Sequence, residues 1–133
     1  MAYWERIRAA HAMPRRSELD PVDIPKLLPF IMLVDVLGEP LDFKFRLIGT
    51  EIDAVISDDY LGRRFSTIPH MTSGNKVWAE YETVVLRRQP LTAAVDYVGA
   101  DRYVRGIRHC LMPLSADRET VDMIFVAVEI ERR

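Results

Sequence analysis

Apolar residues recur at spacings of three and four near the start of the chain, where Tyr3, Trp4, Ile7 and Ala10 fall on one side of a helix. The pattern predicts a short amphipathic helix over residues 3–12, broken at residues 13–16 with Pro14 as punctuation. Asp20-Pro21-Val22-Asp23 reads as a second helix start. An aspartate there accepts free amide protons of the first turn, and proline at the first position lacks a donor that would have no partner anyway. Ile24, Leu27 and Leu28 supply its buried face and Pro29 ends it. The period then becomes two. Residues 31–36 are β-branched and apolar, a turn follows at Leu37-Gly38-Glu39-Pro40, and residues 43–48 alternate. Phe43, Phe45 and Leu47 take one face, and Lys44 and Arg46 the other, which predicts an antiparallel hairpin.

Gly49-Thr50-Glu51-Ile52-Asp53 opens a short helix with Thr50 as its cap and Ile52, Val55 and Ile56 as its apolar face. Gly62 ends the segment, and residues 57–64 read as irregular. The longest helix is predicted over residues 75–88: Val77, Trp78, Tyr81, Val84 and Val85 lie on one side, while Glu80, Glu82 and Arg87 face water. Three strand-like runs follow at 91–98, 102–114 and 121–129, joined by Gly99-Ala100-Asp101 and by residues 115–119. Links this short make an antiparallel meander, because a parallel crossover needs a dozen residues or more. Two strands, inserted helices and three further strands predict one α+β fold, a five-stranded antiparallel sheet with helices on one face plus the N-terminal helix. Residues 1–20 are read as the N-terminal helix and its connector, and 21–133 as the domain proper.

Composition narrows the function. The chain of 133 residues is 49% hydrophobic and 29% charged, which suits one globular domain. Its 18 basic and 20 acidic side chains nearly cancel, so nucleic acid is not an expected partner. Charges near the N-terminus stand where a signal peptide needs an apolar run, and no stretch approaches the ~18 apolar residues of a membrane span. The expectation is a cytoplasmic protein with no membrane partner. One cysteine, Cys110, allows no internal disulfide and no multi-cysteine zinc site.

Several motifs appear in a telling order. They are residues 13–21 (Met-Pro-Arg-Arg-Ser-Glu-Leu-Asp-Pro), 24–29 (Ile-Pro-Lys-Leu-Leu-Pro), 33–36 (Leu-Val-Asp-Val) and 45–50 (Phe-Arg-Leu-Ile-Gly-Thr). Leu61-Gly62-Arg63, then Leu111-Met112-Pro113-Leu114-Ser115, and lastly Val121-Asp122-Met123 complete the set. This series resembles the bacterial PAS_5 family of PAS domains, found as short stand-alone proteins in alphaproteobacteria. The resemblance implies a sensory fold whose sheet and helices enclose a small cavity, and a protein that signals through a separate signalling partner or its own dimer. No output module fits in the remaining residues.

Trp78, Tyr81, Phe65 and Tyr97 are the leading pocket candidates, since tyrosine and tryptophan offer flat apolar surface with one donor each. Plain core filling by the same residues is the competing reading. Arg46 and Thr50 bracket Gly49, where the following amides would receive an anion. The simpler alternative has Thr50 capping the helix and Arg46 pairing with a carboxylate. Trp4 and Ile7 are the candidate homodimer contact. His11, His70 and His109 are too scattered for a metal cluster, and Cys110 lacks the motif of a photoactive flavin site. Neither haem, flavin nor metal is expected; a small apolar or amphipathic ligand is. The alternative function is a small cavity enzyme of isomerase or hydratase type, with Asp96 or Glu129 as a tuned carboxylate.

Overall fold

The period-two runs become five strands: β1 (Ile31–Leu37), β2 (Asp42–Ile48), β3 (Leu91–Val95), β4 (Val104–Leu114) and β5 (Met123–Arg132). A computed structural model describes residues 1–56 and 58–133; Ser57, in the stretch read as irregular, lies outside the described residues. All neighbours are antiparallel, in the order β2-β1-β5-β4-β3, so the α+β sheet predicted from the pattern is present. The first and last strands lie side by side, paired from Ile31 opposite Ala127 to Asp35 opposite Met123.

Alternation divides the sheet into two working faces. Met32, Val34, Ile124, Val126, Leu111 and His109 share the inner face by register. α2 (Thr50–Asp53), a 3-10 turn at Phe65–Thr67 and α3 (Lys76–Arg87) lie against it. Leu33, Phe125 and Met112 line up on the outer face. There α1 (Ala2–Arg8) sets the Tyr3 ring edge-on to Phe125, 6.5 Å between centroids. Trp4 donates its indole N–H to the Pro113 carbonyl at 2.8 Å and is 3% exposed. Trp4, Met13 and Leu19 belong to the same hydrophobic cluster as the strands, so residues 1–20 share one core with the rest. The apolar face of α1 is thus satisfied within its own chain: Trp4, expected at a dimer contact, is buried, and Ile7 is half-buried against the core.

One expected face is wrong. Phe43 and Phe45 point inward, but Leu47 is 40% exposed. The β1–β2 pairing slips between Leu33 and Val34: Val34 faces Phe45 and Leu33 faces Leu47, leaving Arg46 as the extra residue of a bulge. A bulge reverses the alternation beyond it, so Ile48 returns to the inner face in place of Leu47.

Shorter elements explain the other differences. α1 stops at Arg8, because Ala9 takes a positive φ of 53°. The second helix is only a 3-10 turn, Pro21–Asp23, although the Asp20 carboxylate does accept the Val22 amide proton as read. Pro29 sits inside a 3-10 turn, Leu28–Phe30, and Leu27 is exposed. Thr50 does not cap α2; the cap position is Gly49, with no side-chain hydrogen bond. Gly49 is needed for space and not for its torsion, since φ is −64° while a Cβ there would collide with the carbonyls of Leu28 and Pro29. β3 ends at Val95, short of residue 98, because Tyr97 leaves the sheet.

Candidate functional site

Between the inner face and the helices lies a cavity of about 270 Å³. Met32, Ile48, Ile107 and Val128 form its floor; Ile52, Val55, Val77 and Tyr81 form the helical side. Its far wall is residues 96–99, the segment where β3 has ended. The Tyr97 hydroxyl donates to the Val55 carbonyl at 2.6 Å and accepts the Asp101 amide proton at 3.1 Å. Gly99 is pressed against this junction, where a Cβ would strike the Tyr97 ring and the Val55 carbonyl. One tyrosine therefore fastens the end of α2 to the loop after β3.

Beside the cavity is a cluster of rings. Phe43 lies 5.3 Å from Phe65, 5.0 Å from Trp78 and 5.4 Å from Tyr81, and Phe65 lies 4.9 Å from Tyr81. Tilted and edge-on pairs of this kind each add about 0.5–1.5 kcal/mol beyond the area they bury. They fix the position of Tyr81, whose ring then meets His109 edge-on at 6.2 Å. Tyr81 is 1% exposed, and its hydroxyl has no hydrogen-bond partner among the described residues. Burial raises that phenol well above its ordinary value, so it stays protonated as both donor and acceptor.

The polar centre is a pair. His109 Nε2 lies 3.1 Å from Glu80 Oε1, and the two side chains are 5% and 11% exposed. Burial holds the imidazole below its ordinary value, outweighing the attraction of Glu80; Lys76 pushes the same way as burial. A neutral ring that donates to a carboxylate carries its proton on Nε2, which leaves Nδ1 as an acceptor. Lys76, one helical turn before Glu80, extends its ammonium to the Ala94 carbonyl at 3.2 Å.

Of the six pocket candidates, Tyr81 and Tyr97 line the cavity. Trp78 and Phe65 pack in the ring cluster behind it. Arg46 is on the outer face, its guanidinium 2.9 Å from Asp35 Oδ2, and Thr50 is exposed on α2. The reading of Arg46 as a carboxylate's partner is right and the anion site is not formed, since Arg46 and Thr50 do not converge. Asp96 lies exposed at the cavity rim, whereas Glu129 is exposed on the outer face opposite Arg108. Cys110 is half-buried on the outer face, as a structural thiol would be. No group of three or more potential metal ligands occurs among the described residues.

Glu80, expected to face water on α3, is instead mostly buried: it follows Val77 by three positions and precedes Val84 by four. That is the spacing of the buried stripe. Glutamate at an apolar position is the signal that was available. Its partner lies 29 residues away and only the fold joins them.

A protein-family model described as PAS_5, PAS domain, matches residues 1–128. Neither the curated proteins nor the solved structures return a match.

Proposed function

The chain belongs to the PAS_5 family of PAS domains, and we propose that it is a sensory or adaptor domain that holds a small amphipathic ligand and regulates a separate signalling protein by contact. The observation that carries the ligand is the cavity itself. It is apolar on most sides, and the Tyr81 hydroxyl on its wall lacks a partner. A ligand's polar atom gives that hydroxyl a partner it does not find among the described residues. α2, the loop after β3 and the sheet all border the cavity, so occupancy alters how these elements pack and thereby the outer surface a partner meets.

In this reading the protein works in the cytoplasm, catalyses nothing and uses no haem, flavin or metal. No helix among the described residues is long and apolar enough to cross a membrane. The catalytic alternative loses support from its own candidates, since Asp96 is exposed and Glu129 faces away from the cavity. The homodimer remains part of the proposal, with contact over the exposed side of α1 near Ile7 and not through Trp4.

Native mass spectrometry of freshly purified protein, followed by the same sample denatured, tests this. The expected result is a dimer carrying a bound mass that is released on denaturation, and that is absent from a Val128→Phe variant whose ring fills the cavity. A bound mass that survives in Val128→Phe would place the ligand elsewhere. No bound mass in either protein would leave the adaptor role without its ligand.

A further inference from the structure

Glu80 is the most unusual group in the cavity. Its carboxylate is 11% exposed, and among the described residues its one hydrogen-bonding partner is the His109 ring. A buried carboxylate needs an opposite charge, because the apolar surroundings that strengthen a pairing also make an unpaired ion costly. His109 does not supply that charge, since burial keeps its ring neutral. The charged groups on α3 and on the other elements that line the cavity do not supply it either. Lys76, on α3, is bonded to the Ala94 carbonyl and makes no ion pair with Glu80. Asp96, on the rim after β3, adds a second negative charge. His70, from the segment before α3, packs its ring 5.9 Å from Tyr60.

Resting on the ligand reading above, we infer that the cavity recognises a small molecule with an apolar body and a protonated amine at one end, received by the Glu80 carboxylate. The amine has three donors, and residues that carry acceptors, Glu80, His109 and Tyr81, line the cavity. Ile48, Ile52, Val77 and Ile107 cover the apolar body. An acid of the same shape meets the Glu80 charge and is repelled.

Three probes of one skeleton separate these possibilities: 2-phenylethylamine, 2-phenylethanol and phenylacetate, each titrated calorimetrically into the full chain and into Glu80→Gln and Glu82→Gln. The wild type is expected to bind the amine at least about tenfold tighter than the alcohol, with phenylacetate weakest. Glu80→Gln is expected to cut amine affinity by about tenfold or more and leave the alcohol unchanged, while Glu82→Gln, outside the cavity lining, changes neither. An amine and alcohol of equal affinity, or an amine preference that persists in Glu80→Gln, overturns the inference and leaves the cavity reading intact. Failure of all three probes to bind overturns both. Should Glu80→Gln fail to fold, the wild-type ranking of the three probes decides alone.

Discussion

At the residue scale the consequences follow from His109 and Gly99. Between the lowered value of His109 in the folded protein and the ordinary 6.5 of the unfolded chain, the unfolded state takes up a proton that the folded one refuses. Stability contributed by the neutral ring is therefore complete above about pH 6.5 and is lost as pH falls through the folded value. Thermal melts from about pH 7 down to about pH 5 are expected to show a falling midpoint in the wild type and a shallower fall in His109→Gln; equal slopes would assign the titration to another group. At Gly99 the argument is steric. Alanine pushes a methyl group into Tyr97 and the Val55 carbonyl, so Gly99→Ala is expected to cost roughly 1–3 kcal/mol in urea unfolding and to loosen the loop that closes the cavity. Sequence made the aromatic candidates visible, because Tyr81 stands on the apolar stripe of α3 and Tyr97 follows two residues after β3. It concealed Glu80, because a charged residue is presumed wet until a partner for it is known.

At the element scale, the hydrophobic periods set the type of nearly every segment and tertiary contacts set where each one stops. The helix over 75–88 is present almost as read, as Lys76–Arg87, since twelve residues with a continuous apolar stripe need no outside help to be recognised. β3 stops three residues before its expected end: Asp96, Tyr97 and Val98 continue its alternation in sequence, while the Tyr97 hydroxyl binds the Val55 carbonyl. The bulge at Arg46 left no trace in the alternation, because it is a property of the pairing of two strands. α1 is a case where packing dominates. At seven residues it is too short to persist by propensity alone, so it depends on Trp4. Trp4→Phe, which loses the hydrogen bond to Pro113, is expected to cost about 1 kcal/mol plus the lost volume. Trp4→Ala is expected to cost about 3–5 kcal/mol, read from denaturant midpoints, and two near-neutral variants would mean that α1 is not docked on the sheet.

At the scale of the whole molecule, the sheet is a partition with the cavity on one side and the N-terminal segment on the other. Arg118, in the turn between β4 and β5, donates to the Met13 carbonyl at 2.9 Å and pairs with Glu18 at 2.8 Å, while Ser115 donates its amide proton to Pro14. Removing residues 1–20 takes away Trp4, Met13 and Leu19 and uncovers Phe125, Met112 and Leu33. The shortened chain is expected to lose stability comparable to the whole margin of a domain, about 5–15 kcal/mol, and to show no cooperative melt by circular dichroism. A melt at the wild-type midpoint would make those residues an appendage. Sequence alone determined the alternation, the order of helices and strands, and a family-like series of motifs, because each of these is written in local spacing along the chain. Tertiary structure decided the strand order, the burial of Trp4 on its own sheet, the slip at Arg46 and the meeting of Glu80 with His109. Each of those depends on which distant segments come within a few ångströms, and spacing along the chain holds no record of that distance.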